Sequence, residues 1–142
     1  MRPFFIFNGL VCADKMIILP KQKNKIMKII SSKMHGVLDY LVVIFLLVSP
    51  TLFKMHGQLC TFTYALAAIH FLLTILTRFE LGLIKIIPFP LHGVIEFFVA
   101  IVLALVSFWF NKNGNALGFY YYLYFAIAIM LVFVLTDFKG KR

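Results

Sequence analysis

One stretch of this chain occurs twice, and the repetition limits the fold more than any other feature. Residues 28–40 read KIISSKMHGVLDY, and residues 85–97 read KIIPFPLHGVIEF. At an offset of 57 the copies share Lys, Ile, Ile, His, Gly and Val, and they match in kind at Met/Leu, Leu/Ile, Asp/Glu and Tyr/Phe. Each copy leads into a long apolar run, and each run is followed by a second. The second runs also end alike, in LTRFELG at 76–82 and LTDFKG at 135–140. A period of this length, made of paired apolar runs, is the signature of a duplicated helical hairpin.

Composition decides the solvent. Apolar residues make up 63% of the chain and charged residues 13%, against roughly half and a quarter in a soluble globule. Lipid is therefore the expected surrounding for most of the chain. The expected fold is an all-α membrane protein with four transmembrane helices, built from two tandem helical-hairpin repeats. Residues 28–84 form repeat 1, with helices at about 34–53 and 59–77; residues 85–142 form repeat 2, with helices at about 91–110 and 116–136 and a basic tail. Pro50 falls in the last turn of the first helix, where a missing backbone bond is tolerated. KMHGQ at 54–58 and NKNGN at 111–115 read as turns, and 81–87 is apolar enough to lie along the membrane surface. Residues 1–27 are a basic N-terminal extension without a counterpart in the repeat. They resemble a signal peptide only weakly, and translation from Met27 is the plainer expectation.

Charge sets the expected orientation. Seven Lys and Arg precede the first helix, two lie in the middle connector and three in the tail, while the two remaining turns carry only Lys54 and Lys112. This asymmetry predicts a multi-pass protein of the bacterial inner (cytoplasmic) membrane with both termini cytoplasmic. Trp109, Tyr120, Tyr121, Tyr122 and Tyr124 then fall at the outer interface. The net charge of +9 is spread in short segments between apolar runs and forms no basic face interleaved with aromatics, so nucleic acid is not an expected partner. Cys12 and Cys60 have no CxxC spacing and imply neither a disulfide framework nor a zinc site.

The residues able to carry chemistry are few. His35 and Asp39 are four apart, as are His92 and Glu96, so each pair shares a helix face. Along the second helix Cys60, Thr63, Ala67, His70, Thr74 and Thr77 draw a polar, small-residue stripe, and His92, Glu96, Ala100, Ala104 and Ser107 draw another along the third. Thr63, Ala67, Thr74, Thr77, Ala100, Ala104 and Ser107 are thus expected at helix contacts. If the stripes face each other, His35, Asp39, His70, His92 and Glu96 converge as candidate metal ligands in the cytoplasmic half, the kind of intramembrane ionisable cluster that marks function. The plainer reading makes His-Gly-x-x-Asp/Glu a helix-start motif, with Asp39 and Glu96 favoured by the helix dipole and the histidines anchored at the interface. His70 has no copy: its counterpart at an offset of 59 is Ile129, and that of Thr74 is Phe133. From helix spacing, His70 lies about two turns deeper than His35 and His92, which argues against a bis-histidine haem. Ser49 and Ser107 lack the surroundings of a nucleophile, no glycine-rich phosphate loop is present, and no cofactor is expected.

The duplicated hairpin, its His-Gly-x-x-Asp start and Ser49-Pro50 at the end of the odd helix resemble the SPW-repeat membrane proteins of bacteria and archaea over residues 28–138. Ser49-Pro50-Thr51 lacks the motif's tryptophan, and Ser107-Phe108-Trp109 lacks its proline and sits one position out of register. The resemblance implies a small integral membrane protein and supplies no catalytic residue. The leading expectation is a non-enzymatic structural or interaction component that meets lipid and a homo-oligomeric or membrane-protein partner. The rival is a metal-binding or proton-linked transport component using the His/carboxylate cluster.

Overall fold

The computed structural model describes residues 28–138, so the N-terminal extension and the end of the basic tail lie outside the described residues. Four helices run through it: α1 (Ser32–Leu52), α2 (Gly57–Leu76), α3 (Phe89–Lys112) and α4 (Ala116–Leu135). Each holds 20 to 24 residues, about 30–36 Å at 1.5 Å per residue, enough to cross a bilayer's hydrocarbon core. All four are apolar enough to span. The chain is a multi-pass, all-α membrane protein, with helix ends within two residues of those expected from the sequence.

Local chemistry sets those ends. The Ser31 hydroxyl accepts from the Met34 amide at the start of α1, and Asn115 accepts from Gly118 at the start of α4. Proline in the first turn of α3 loses no helical bond, because that amide has no partner in any helix. Gly114, at φ +73°, makes the backward turn between α3 and α4 that a side chain would resist. Pro50 leaves the Leu46 carbonyl without its usual donor, and the Ser49 hydroxyl donates to that carbonyl at 3.2 Å. The Ser-Pro step thereby repairs itself.

Each helix packs along its own hairpin partner. The outer surface is apolar: Leu41, Ile44, Leu47 and Val48 of α1, and Val102 and Leu105 of α3, stand exposed as lipid requires. The interior is mixed. Away from the repeated motif, Leu59, Ala100, Leu103, Phe110, Tyr122 and Ala126 form an apolar core in which alanines let the helices approach. Tyr122 departs from the interfacial belt expected of it. It is 1% exposed, and its hydroxyl lies 3.0 Å from that of Thr63, its bonding partner across the hairpins. Tyr120 and Tyr124 do stand exposed.

At the opposite end the hairpins are tied by backbone. Two short strands, β1 (Thr77–Arg78) and β2 (Ile87–Pro88), pair in parallel, with Thr77 opposite Ile87. Ile30 pairs in parallel with Thr136. Ile30 and Ile87 are the same position of the repeat, as are Thr77 and Thr136, so the two bridges are one contact made twice. The repeats are therefore related by an approximate two-fold running along the bundle. The residues leaving each second helix meet the residues entering the first helix of the other repeat.

Candidate metal centre

The twofold brings the two His-Gly motifs face to face. His35 and His92 are 0% exposed, and their Nε2 atoms lie 3.2 Å apart. Asp39 and Glu96, one turn further along α1 and α3, complete the group at 3% and 4% exposure. His35 Nε2 is 3.4 Å from Asp39 Oδ1 and 3.3 Å from Glu96 Oε2. His92 Nε2 is 3.4 Å from Asp39 Oδ2 and 3.5 Å from Glu96 Oε1. Each carboxylate thus presents one oxygen to its own histidine and the other to the histidine of the opposite repeat. One nitrogen or oxygen from each of the four residues lies within 4.8 Å of the other three.

Threonines fix the histidine protons. The Thr77 hydroxyl donates to the Leu73 carbonyl at 2.6 Å, and the Thr136 hydroxyl donates to the Val132 carbonyl at 2.7 Å. With its one proton committed, each hydroxyl receives the imidazole at its lone pairs: His92 Nδ1 donates to Thr77 at 2.8 Å, and His35 Nδ1 donates to Thr136 at 3.0 Å. A neutral imidazole so held carries its lone pair on Nε2. Both lone pairs point into the centre, at each other and at two carboxylates. Two imidazoles and two carboxylates buried together, with no lysine or arginine among them, call for a compensating positive charge, which either a proton on a histidine or a bound cation supplies.

The glycines of the motif serve the same construction. A Cβ on Gly36 would overlap the ring of Phe79, and one on Gly93 would come within 2.6 Å of the ring of Phe138. Phe79 and Phe138 follow Thr77 and Thr136 by two residues, so the LTxF ending supplies both an imidazole partner and a ring that closes over the site. Phe89 packs edge-on to His35, with ring centres 5.4 Å apart, and 4.9 Å from Phe138. Water is held off the histidines from this side.

His70 belongs to the same site. Its Nε2 is 3.8 Å from Asp39 Oδ1, and among the described residues it has no hydrogen-bond partner. The two turns of depth expected between His70 and the other histidines are spanned by Asp39, one turn inward of His35. Among the described residues, Asp39 Oδ2 and Glu96 Oε2 also lack a hydrogen bond of good geometry. All five candidate ligands are thus brought together. Of the expected contact residues, Thr63, Ala67, Thr74, Thr77, Ala100 and Ser107 are buried and Ala104 is half-buried against the core. Sequence reasoning did not single out Thr136, Phe79 or Phe138. Their signal was the repeated LTxF ending, two residues out of register with the His-Gly repeat. In a search of family models, curated proteins and solved structures, nothing matches this chain.

Proposed function

We propose that this chain is a non-enzymatic, metal-binding component of the bacterial inner membrane, in which His35, His92, Asp39 and Glu96 hold one divalent transition-metal ion. One observation carries the reading. One ligand atom from each of the four buried residues lies within 4.8 Å of the other three, with the two Nε2 atoms 3.2 Å apart, a set that a small closure brings around an ion with bonds of about 2.0–2.1 Å. Two neutral imidazoles and two carboxylates suit zinc, iron, manganese or cobalt, and a dication balances the two negative charges inside the bilayer. Buried threonine partners on both Nδ1 atoms support it further, since a ligating histidine is held by a hydrogen bond on its other nitrogen. The orientation proposed from charge, both termini cytoplasmic, puts the centre in the cytoplasmic leaflet. Kinship with the SPW-repeat proteins is part of the proposal, resting on the duplicated hairpin and its His-Gly starts.

The test is elemental analysis of the protein purified in mild detergent, beside His92→Ala. About one transition metal per chain is expected in the wild type and none in the variant. A wild type free of metal that also takes up no cobalt when titrated returns the motif to helix-start architecture.

A further inference from the structure

Resting on the metal reading, the structure points to a second component of the site: a position beside the metal where a small neutral molecule binds, held by His70. A cavity of about 50 Å³ lies against the quartet, lined by Asp39, Glu96 and His70 on its polar side and by Val42, Phe125 and Ile129 among its apolar walls. A single water needs roughly 10–15 Å³ of such room. The cavity admits a molecule of one to three heavy atoms and no side chain fills it.

Three features define the occupant. His70 is 6% exposed and lines the cavity, and its Nε2, 3.8 Å from Asp39 Oδ1, has no hydrogen-bond partner among the described residues. A buried, unpartnered ring nitrogen is costly unless something in the cavity meets it. The Oε2 of Glu96 and Oδ2 of Asp39, which lack hydrogen bonds of good geometry, belong to residues on the same wall. Charge supplies the second feature. Two carboxylates already balance a dication, so a further anion would leave an uncompensated buried charge, and the favoured ligand is neutral. Access supplies the third. Ala128 lines the cavity and is itself exposed on the lipid-facing side of α4, so the route in runs through apolar surroundings. Water in the resting protein, and a neutral diatomic molecule arriving from lipid, meet all three conditions.

The repeat sharpens the assignment. Ile129, the counterpart of His70 across the twofold, lines the same cavity. One repeat supplies the polar contact and the other an apolar wall, which gives the ligand position a single orientation.

Nitric oxide and ferrous iron test this directly. The full chain, loaded with iron under anaerobic conditions, is titrated with nitric oxide and followed by the electron paramagnetic resonance of the iron–nitrosyl. Wild type is expected to form the nitrosyl. His70→Ile, which copies Ile129, is expected to keep its iron and bind nitric oxide about 10-fold more weakly, the loss of one hydrogen bond to a bound ligand. Ala128→Leu, which fills the cavity without touching a ligand, is expected to do the same and serves if His70→Ile does not fold. Iron bound without a nitrosyl in wild type, or equal nitric oxide affinity in wild type and both variants, overturns the inference and leaves the metal centre standing. Failure to bind iron at all overturns the metal reading and this inference with it.

Discussion

The two hairpins agree in their first helices and disagree in their second. His35 and His92, Gly36 and Gly93, and Asp39 and Glu96 occupy equivalent places and make equivalent contacts across the twofold. Along α2 and α4 the equivalence holds at the end, where Thr77 and Thr136 each hold one imidazole, and at the buried Ala67 and Ala126, but fails between them. Further in, His70 and Thr74 of α2 face a bundle in which α4 offers Ile129 and Phe133. Position explains the difference. The quartet sits on the approximate axis, so neither repeat alone can supply it, and losing a residue from either copy breaks the whole. The His70 flank lies off the axis, where one repeat is free to change without its twin. The duplicated residues make the quartet, and the unduplicated His70 lies on its flank, 3.8 Å from Asp39.

Replacing the threonines breaks the shared part of this comparison most severely. Thr77→Val and Thr136→Val keep shape but remove the acceptor for Nδ1, and each is expected to weaken metal binding by about 10–100-fold. Each also strips the hydroxyl bond from a carbonyl at the end of α2 or α4, at Leu73 or Val132. The Val132 carbonyl keeps its bond from the Thr136 amide at 3.0 Å, so the cost of an unsatisfied buried carbonyl, about 1–3 kcal/mol, can fall only at Leu73. Serine at either position restores the hydroxyl and should recover most of the affinity. Cobalt titration monitored by its visible absorption reads the result. Equal losses from the two sites support the twofold; a loss at only one shows that the histidines are not equivalent.

The glycines test the same symmetry through packing. An exposed helical glycine replaced by alanine gains about 1 kcal/mol of stability. Gly36→Ala and Gly93→Ala should do the reverse, because the added methyl runs into Phe79 or Phe138, and overpacking of this kind costs about 1–3 kcal/mol. Thermal unfolding in detergent measures the change. Pairing Gly93→Ala with Phe138→Leu should return part of the loss, and no recovery would mean the ring is not what the glycine admits.

How much of this was legible in the chain follows from what each residue does. The helices were, because runs near 20 apolar residues between turns have few other solutions in lipid, and Ser49-Pro50 and Gly114 mark their own local geometry. The stripes were legible as well, Thr63, Ala67 and Thr74 on α2 and Ala100 and Ser107 on α3, since small and polar residues at alternating spacings of three and four gather on one face of each helix. The meeting of His35 with His92 was legible only on the condition that the stripes face each other, because spacing within a helix says nothing of the rotation of one helix against another. The parallel bridges Thr77–Ile87 and Ile30–Thr136 accompany that arrangement; their residues recur in both repeats, but the pairing across repeats is a tertiary contact that spacing along one helix does not give. Tyr122 shows the same limit. Its neighbours Tyr120 and Tyr124 face outward as an interfacial belt should, and only tertiary contact with Thr63 draws Tyr122 inside.

The smallest expected effect lies where the first helices themselves differ. Ser32 of repeat 1 donates its hydroxyl to Glu80 Oε1 at 2.8 Å, whereas Phe89 at the equivalent place in repeat 2 packs on Phe138. A hydrogen bond to the backbone of its own residue, then the bond from Ser32, and more weakly Lys33 and Lys85, hold the Glu80 carboxyl below the usual carboxylate range. With the folded pKa below the unfolded one, the contribution to stability is complete above the unfolded pKa. It is lost as pH falls through the folded value. Both groups are exposed to solvent, so Ser32→Ala should cost less than about 1 kcal/mol near neutral pH. The gap between wild type and variant should close as the solution is made acid, and added salt should narrow it at neutral pH. A gap that stays constant from neutral to acid pH would show that Ser32 acts through the start of α1 and not through Glu80.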